Sequence, residues 1–440
     1  MAVSSPPQSP AGGPPQLPIA PPVPPWRRLV AVAAEGVASG TPYMVGSKLL
    51  QGWLAANAIP LPLIGLLPLA ELPYTLKMFW APALDRWALP WPDRRRGWIL
   101  VFQFILVAVI GAMALLQPST SAASLTAIGA AALVLALASA SQDIVIDAYR
   151  TDLLPEAERG PGAATHNLGY RSAGLVISSG GFLLAGWLGW PAAFAATAVL
   201  MAATIPFTLT APKIPPLSQP LTSLRQAMAG PIREFLHRTG GGRALLVLLL
   251  VLLYRWPDGL LNAMAIPFLT ITGFSAATIG LIQGAWGIGA TIVGTILGGA
   301  LLPRLGMNRS LWLFALVGAA GNLAYGLLAQ FRGGVPALLL AAGLENIGGG
   351  MVGAVFVALL MSLCNPRFSA TQYALLSGVY ALSRSLLSSP AGVLAERTGW
   401  TNFFLISVLA SLPAFLLMTR ITPWNGRQAL GAFDAAKDAT

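Results

Sequence analysis

The chain has 440 residues, of which 55% are hydrophobic and 9% charged, and its formal net charge is +11. Soluble globular proteins carry about 25% charged residues, so this composition excludes a soluble domain and indicates an α-helical protein that crosses a membrane several times. The positive charge does not predict nucleic-acid binding, because most of it falls in short segments on one predicted side of the membrane. The single cysteine, Cys364, excludes an intramolecular disulfide framework and a cysteine-based metal cluster.

Residues 1–28 are predicted to form a disordered cytoplasmic tail. Ten of the first 25 residues are proline and none is charged, a composition typical of polyproline-like or disordered segments. The segment has neither the cationic start nor the apolar run of a cleavable signal peptide.

Twelve stretches of membrane-spanning length follow, and we number them spans 1 to 12. Their predicted ranges are 29–55, 60–82, 97–117, 123–148, 162–187, 190–210, 244–269, 276–301, 308–330, 335–363, 369–394 and 400–419. Nineteen of the 26 basic residues fall in segments on the side of the two termini, two fall in the opposite loops and five lie within spans. Because Lys and Arg accumulate in cytoplasmic loops, both termini are predicted to be cytoplasmic.

A long polar stretch divides the spans into two groups. Residues 211–243 are predicted to be a cytoplasmic linker with amphipathic helices. It joins an N-terminal six-helix bundle (29–210) to a C-terminal six-helix bundle (244–420), and a cytoplasmic tail follows at 421–440. The predicted fold is therefore an all-α polytopic membrane protein in two halves, an arrangement typical of secondary transporters built from parallel repeats.

Apart from Arg309 at the start of span 9, which is counted above with the segments on the side of the termini, eleven charged residues lie inside the predicted spans. An unpaired charge there costs at least about 2.5–3.5 kcal/mol on insertion scales. The eleven residues are Glu35, Glu71, Asp143, Asp147, Asp258, Glu345, Lys48, Lys77, Arg171, Arg255 and Arg384. So many charges predict a polar cavity that accepts a polar or charged substrate and contains a proton relay. Structural pairing between helices is the alternative for each residue.

Asp143 and Asp147 are the first candidates for proton coupling. They lie four residues apart near the end of span 4 and therefore share one helix face. Two neighbouring carboxylates in a low-dielectric region favour the binding of a shared proton, and Glu35 and Glu71 are further candidates. The alternative is a structural role in a gate, in which Asp147 pairs with Arg150 at i+3.

Span 7 carries candidate substrate-binding residues around a predicted helix break at Pro257, namely Tyr254, Arg255 and Asp258. Broken membrane helices commonly border binding sites, whereas a local Arg255–Asp258 pair is the alternative. The other substrate-binding candidates are Lys77, Gln142, Arg171, Trp286, Glu345, Asn346 and Arg384. Trp286 is suited to stacking on a sugar ring, although packing or an interfacial position is the commoner role of such a residue.

The loop between spans 2 and 3 contains Asp85 and Arg86 and then a run of arginines that includes Arg95. It resembles the short-loop signature of the major facilitator superfamily. The resemblance implies that these residues, together with Arg150, bridge helix ends in one conformation and release them in another. Ordinary cytoplasmic positive charge is the alternative for the arginines.

From about residue 29 to residue 420, in order, the chain resembles the AmpG-type muropeptide permeases. Matching segments include Gly36-Val-Ala-Ser-Gly40, Lys77-Met-Phe-Trp80, Ser139-Ala-Ser-Gln-Asp-Ile-Val-Ile-Asp-Ala-Tyr-Arg-Thr-Asp152, Leu168-Gly-Tyr-Arg171, Glu345-Asn346 and Phe368-Ser-Ala-Thr-Gln372. The resemblance implies the major facilitator fold and proton-driven import of anhydro-muropeptides, which are N-acetylglucosaminyl-anhydro-N-acetylmuramyl species with or without peptide. It also implies the bacterial inner membrane, a place in peptidoglycan recycling and a possible link to β-lactamase induction.

Several further expectations follow from this resemblance. Arg171, Arg255 and Arg384 would bind substrate carboxylates in bidentate fashion, whereas Glu35 and Glu71 depart from the family pattern. The predicted partners are the muropeptide, protons and membrane lipid, for a monomer without a metal or cofactor. The sequence has no phosphate loop, HExxH motif or nucleophile elbow, which predicts that the protein is not an enzyme.

Two alternatives remain open for the function. Within the same class, the protein would transport another solute, such as acetyl-CoA or a small oligopeptide. In a different class, it would be a membrane sensor that transports nothing.

Overall fold

A computed structural model describes residues 24–87, 89–155, 158–214, 224–364 and 369–421. Within these ranges the backbone is helical almost throughout and forms no strand. The reason is the medium, because a chain in hydrocarbon must satisfy its peptide groups internally and a helix does so within one segment. The all-α prediction is confirmed.

The described residues form all twelve predicted spans, many of them from consecutive helical segments. In the first half, span 1 is Pro25–Met44, Val45–Leu49 and Leu50–Ala56; span 2 is Leu61–Gly65, Leu67–Glu71, Leu72–Leu76, Lys77–Phe79 and Ala81–Arg86; span 3 is Arg94–Met113; span 4 is Ala122–Leu153; span 5 is Arg159–Leu175, Val176–Gly181 and Phe182–Leu188; span 6 is Trp190–Ala202 and Ile205–Thr210. In the second half, span 7 is Gly241–Leu253 and Trp256–Ile271; spans 8 and 9 are Ala276–Ile279, Gly280–Trp286 and Gly287–Phe331; span 10 is Val335–Leu363; span 11 is Ser369–Leu382, Ser383–Leu387 and Ala391–Thr398; span 12 is Trp400–Leu409 and Leu412–Ile421.

Seven of the described helices are long and apolar enough to cross a membrane, and they carry spans 3, 4, 6, 7, 8 with 9, 10 and 12. The remaining spans, 1, 2, 5 and 11, are interrupted by π-helical or 3-10 segments. These four hold six of the eleven charges within the predicted spans. Their polarity suits surfaces that face other helices or a cavity, because charged side chains in spans avoid lipid.

Span 3 begins at Arg94, earlier than the predicted residue 97, because Asp93 caps the helix. The Asp93 carboxylate accepts hydrogen bonds from the backbone N–H groups of Arg95 (3.1 Å) and Arg96 (3.0 Å), which lack partners within a helix. Arg96 also donates to the carbonyl oxygens of Leu209 (3.1 Å) and Ala211 (2.6 Å). These bonds join the start of span 3 to the end of span 6.

The last two spans of each half meet at matching glycine turns. Gly189 has φ 86° and ψ 166° before Trp190, and Gly399 has φ 77° and ψ 163° before Trp400. Side chains clash in this region of backbone space, so the position requires glycine. The likeness of the two turns supports the parallel-repeat relation between the halves. The exact domain boundaries stay predictions.

A helix at Leu224–Thr239 lies within the predicted linker, and we call it the linker helix. Its Glu234 carboxylate accepts a hydrogen bond from Gln372 (2.5 Å), and its Arg238 donates to the carbonyl oxygen of Leu363 (2.7 Å). The linker helix is therefore attached to spans 10 and 11 of the second half. The predicted terminal tails lie mostly outside the described residues, which begin at residue 24 and end at residue 421.

The two halves meet through spans 1 and 7, 2 and 11, and 5 and 8. We call the side of the bundle that holds Pro25 and Ile421 the terminal side and the opposite side the distal side. The packed segments include Leu50–Ala56 on Trp256–Ile271 and Leu61–Gly65 on Ala391–Thr398, which are the distal parts of their spans. The approach is so close that a Cβ on Gly392 would lie 1.9 Å from the carbonyl oxygen of Leu61. The halves are thus closed on the distal side.

Candidate substrate cavity

A cavity of about 220 Å³ lies between the halves, on the terminal side of these contacts. The lining residues that carry polar or charged groups are Tyr43, Ser47, Lys48, Gln51, Glu71, Arg255, Asp258, Asn262, Tyr380 and Arg384. Both halves contribute charges of both signs, so the cavity is suited to a polar ligand. Four predicted site residues lie here together, namely Glu71, Arg255, Asp258 and Arg384.

Glu71 and Arg384 form an ion pair that joins the halves. The guanidinium of Arg384 on span 11 lies 2.6 Å from the carboxylate of Glu71 on span 2. It also donates to the hydroxyl of Tyr43 on span 1 and lies 5.2 Å from the centre of the Tyr43 ring. The alternative of pairing between helices therefore holds for both residues in this conformation, although both also line the cavity.

Span 7 breaks where the sequence predicts it. The first helix ends at Leu253, Arg255 has the non-helical angles φ −108° and ψ 12°, and a second helix begins at Trp256 with Pro257 in its first turn. Asp258 in the same turn lies near the positive end of the helix dipole and 3.3 Å from Arg255. Arg255 also lies 5.1 Å from the centre of the Tyr380 ring. The pair therefore forms and also lines the cavity, and the role of both residues in substrate binding stays a prediction.

Tyr254 does not line this cavity. Its hydroxyl donates to the carbonyl oxygen of Leu311 (2.8 Å), and the side chain is buried against Phe356. A bond to a backbone carbonyl satisfies the hydroxyl without any ligand. Its role in substrate binding stays a prediction.

The polar segment of span 4 binds neighbouring helices. Ser139 accepts a hydrogen bond from Tyr74 (2.7 Å) and Ser141 accepts one from Trp80 (3.0 Å), both on span 2. Asp143 accepts one from Ser39 on span 1 (2.6 Å). Gln142 is fully buried and donates to the carbonyl oxygen of Ala38 (2.9 Å), also on span 1. These bonds hold spans 1, 2 and 4 together, and Gln142 is out of reach of the cavity in this conformation.

Asp147 has a different environment from Asp143, one turn nearer the terminal side. Its side chain is 53% exposed. The carboxylate lies 3.1 Å from the guanidinium of Arg150 and 3.9 Å from the ammonium of Lys77. The pair with Arg150 is the contact that the gate alternative predicts. Lys77 lies beside Asp147 and not in the cavity wall. Whether either aspartate carries a proton stays a prediction.

Glu35 lies deep in the first half. Its side chain is 2% exposed, and neither carboxylate oxygen has a hydrogen-bond partner among the described residues. An unpartnered carboxylate in an apolar interior is costly, so the position favours a functional role over a structural one. Proton coupling by Glu35 stays a prediction.

Ion pairs on the terminal side of the first half connect helix ends. Arg95, predicted to be a gating residue, lies 3.3 Å from Asp152, which lies in the last turn of span 4. Arg28 donates to Glu158 (2.8 Å), joining the starts of spans 1 and 5, and this hydrogen bond lowers the pKa of Glu158. The side chains of Asp85 and Arg86 lie outside the described part of the structure. Their gating role stays a prediction.

The other predicted substrate-binding residues lie away from the cavity wall. The Trp286 indole donates to the carbonyl oxygen of Leu339 (3.0 Å), and Asn346 donates to Glu345 (2.7 Å) and accepts from Thr291 (2.9 Å). Arg171 is half-buried on span 5, with no ion pair to a described residue. These bonds connect spans 8 and 10, and the roles of these residues in binding stay predictions.

Six polar residues of the cavity wall were not among the predicted site residues, namely Tyr43, Ser47, Lys48, Gln51, Asn262 and Tyr380. Lys48 was identifiable as a charge inside a span, but its helix face was not, because it lies on the π-helical segment Val45–Leu49. Asn262 lies one turn after Asp258, so helical spacing from the predicted residue was the available signal.

Comparison with known proteins gives the family. Residues 47–367 match the Major Facilitator Superfamily. The anhydromuropeptide permease of Escherichia coli K12 is 40% identical over 386 residues, which cover 87% of this chain and 77% of that protein. A putative AmpG 4 transporter of Rickettsia conorii is 30% identical over 411 residues, covering 90% and 97%.

Solved structures agree on the fold. The nucleoside transporter NupG has a TM-score of 0.70 at 15% identity, covering 90% of this chain and 99% of that one. The inward-open xylose transporter XylE of E. coli has a TM-score of 0.70 at 13% identity, covering 94% and 99%. The expected major facilitator fold is thereby confirmed. The chain belongs to the major facilitator superfamily and, within it, to the AmpG-type anhydromuropeptide permeases.

Proposed function

We propose that the protein imports anhydro-muropeptides across the bacterial inner membrane by proton symport. The observation that carries the proposal is the 40% identity to the E. coli anhydromuropeptide permease, which extends through both halves of this multi-pass membrane protein. The cavity supports it, because a muropeptide presents sugar rings, amides and carboxylates. Tyr43 and Tyr380 offer ring faces, and Arg255 and Arg384 offer guanidinium groups.

The positive-inside distribution of Lys and Arg supports a cytoplasmic terminal side and a periplasmic distal side. With the distal side closed, the described conformation then corresponds to one that faces the cytoplasm. Import would alternate this state with one in which spans 2 and 11 separate on the distal side. We infer that one chain suffices for this cycle, because both walls of the cavity come from the same polypeptide.

Substrate entry requires movement at the Glu71–Arg384 pair. The cavity of about 220 Å³ is below the roughly 300–1,000 Å³ of common ligand pockets. The ion pair crosses it from span 2 to span 11. A substrate carboxylate that enters between the halves would compete with Glu71 for the cations of the cavity, loosen the halves and leave Glu71 free to accept a proton. We therefore infer that Glu71 takes part in proton coupling. Asp143, Asp147 and Glu35 are the other candidates.

Uptake by proteoliposomes tests the proposal. Vesicles containing the purified protein are given labelled N-acetylglucosaminyl-anhydro-N-acetylmuramic acid under a proton gradient that is acidic outside. We expect accumulation above the outside concentration, and its loss on addition of a protonophore. Excess unlabelled muropeptide should compete, whereas acetyl-CoA or an unrelated tripeptide should not.

Correctly folded protein that takes up no muropeptide under any gradient would refute the transport proposal. Competition by acetyl-CoA or the tripeptide alone would favour transport of another solute. Uptake that ignores the protonophore would refute proton symport while leaving the substrate assignment intact.

A further inference from the structure

Lys48 differs from the arginines of the cavity in its partners. Its ammonium lies 3.4 Å from the amide oxygen of Asn262 on span 7, and no carboxylate of the described residues lies within ion-pair distance of it. Arg255 and Arg384 each have a carboxylate, Asp258 at 3.3 Å and Glu71 at 2.6 Å. Lys48 therefore faces the cavity with a neutral partner only.

The surrounding charges act on Lys48 from a distance. Glu71 and Glu345 attract the ammonium and Arg384 repels it, but none of them is in contact with it. Lys48 is half-buried, and partial removal of a cation from water without a contacting counter-charge is unfavourable. A negatively charged group of a bound ligand would supply the missing contact. The position thus suits recognition of an anion.

Lys48 lies on a π-helical segment of span 1, and its side chain reaches Asn262 in the second half. A π-helical turn inserts a residue and shifts side chains off the regular helix face, and such turns are frequent at functional sites. Lys48 lies on one in span 1, Val45–Leu49, and Arg384 lies on another in span 11, Ser383–Leu387. One cation from each half therefore lines the same cavity. Arg384 already contacts the carboxylate of Glu71 and the hydroxyl of Tyr43, whereas Lys48 contacts only the neutral amide of Asn262.

We propose that Lys48 recognises the carboxylate of the transported substrate and that Asn262 positions its ammonium. This inference rests on the proposed function and deepens it, since it assigns selection for anionic sugar derivatives over their neutral amides to one contact. Charge-assisted bonds of this kind are stronger than neutral ones. The contact also spans the halves, so the carboxylate would be held between Lys48 of span 1 and Asn262 of span 7.

Binding of two matched ligands tests the assignment. N-acetylglucosaminyl-anhydro-N-acetylmuramic acid carries one carboxylate, and its carboxamide is neutral but otherwise alike. Calorimetry on the full-length protein in nanodiscs should show that the wild type binds the acid at least about tenfold more tightly than the amide. For Lys48→Gln, the two affinities should agree within about twofold. Lys213→Gln, the same change at an exposed lysine beyond span 6, should keep the wild-type ratio.

A second variant approaches the contact from the other side. Asn262→Asp keeps the size of the side chain but places a carboxylate at the Lys48 ammonium, where it competes with the ligand. It should weaken binding of the acid and leave the amide affinity unchanged within about twofold.

Three outcomes overturn the assignment. These are a wild-type acid-to-amide ratio in Lys48→Gln, the same ratio in Asn262→Asp, and equal affinity of the wild type for the acid and the amide. Failure of the proposed function would look different, because the wild type itself would then bind neither compound.

Discussion

Among single residues, Glu71 and Arg384 make the ion pair that joins the two halves across the cavity, and we propose that the halves open when this pair breaks. Reversing one charge, as in Glu71→Arg or Arg384→Glu, puts like charges where 2.6 Å now separates opposite ones. We expect each single variant to lose at least about 90% of uptake and the double variant to recover a substantial part. Because the side chain of Arg384 is 34% exposed and that of Glu71 is 17% exposed, solvent limits the coupling energy of the pair to about 1–3 kcal/mol. A double-mutant cycle on uptake and thermal unfolding measures it, and a double variant no better than the singles would show that the pairing is unimportant.

Substitutions of Asp143 and Asp147 distinguish a role in proton coupling from a role in gating. In Asp143→Asn, the amide oxygen can still accept the hydrogen bond from Ser39, so we expect the protein to fold. Because the amide binds no proton, we expect gradient-driven accumulation to be lost and substrate exchange without a gradient to persist. Asp147→Asn removes the charge that pairs with Arg150 and Lys77. It should slow transport several-fold without abolishing accumulation. Accumulation and exchange assays in the same vesicles distinguish the two, and full accumulation by Asp143→Asn would exclude it as the essential proton carrier.

At the scale of helices, the sequence predicted the spans better than their contacts. The periodic apolar runs sufficed to locate all twelve spans and the break at Pro257, because hydrocarbon requires them whatever the tertiary packing. The π-helical segments were not predicted, since they depend on which neighbouring helix a span meets. The same limit applies to Gln142, whose buried amide bonds to span 1, and to the Glu71–Arg384 pair, whose members are far apart in the chain.

The distal contact between spans 2 and 11 depends on a glycine. A Cβ at residue 392 would lie 1.9 Å from the Leu61 carbonyl oxygen, a backbone atom that cannot move aside alone. We expect Gly392→Ala to disfavour the distally closed state by about 1–3 kcal/mol. Gly378→Ala in the same span is the control, because a Cβ there meets nothing within 4 Å. With Asn262→Cys added to each variant, labelling of this cysteine from the distal side should rise in Gly392→Ala and not in Gly378→Ala. Equal labelling of the two variants would contradict a role for the Gly392–Leu61 contact in closure.

For the whole molecule, the unequal distribution of positive charge and the closed distal side together predict which side of the membrane the cavity faces. If the terminal side is cytoplasmic, the closed halves seal the periplasmic side, and the cavity cations Lys48, Arg255 and Arg384 await release of substrate to the cytoplasm. The count of basic residues predicts this orientation independently of the cavity, and the orientation stays a prediction. The conformation itself was beyond the sequence, since one chain must adopt at least two states during alternating access.

The orientation is testable because the chain has one cysteine, Cys364. Cys364→Ser gives a cysteine-free background, into which Thr120→Cys and Lys213→Cys each place an exposed thiol in a segment outside the helices. Thr120 lies between spans 3 and 4 on the distal side, and Lys213 follows span 6 on the terminal side. A membrane-impermeant maleimide added to intact spheroplasts should label the first variant and should label the second only after lysis. The reverse pattern would place both termini outside, so that the closed side would face the cytoplasm and the described state would be open to the exterior.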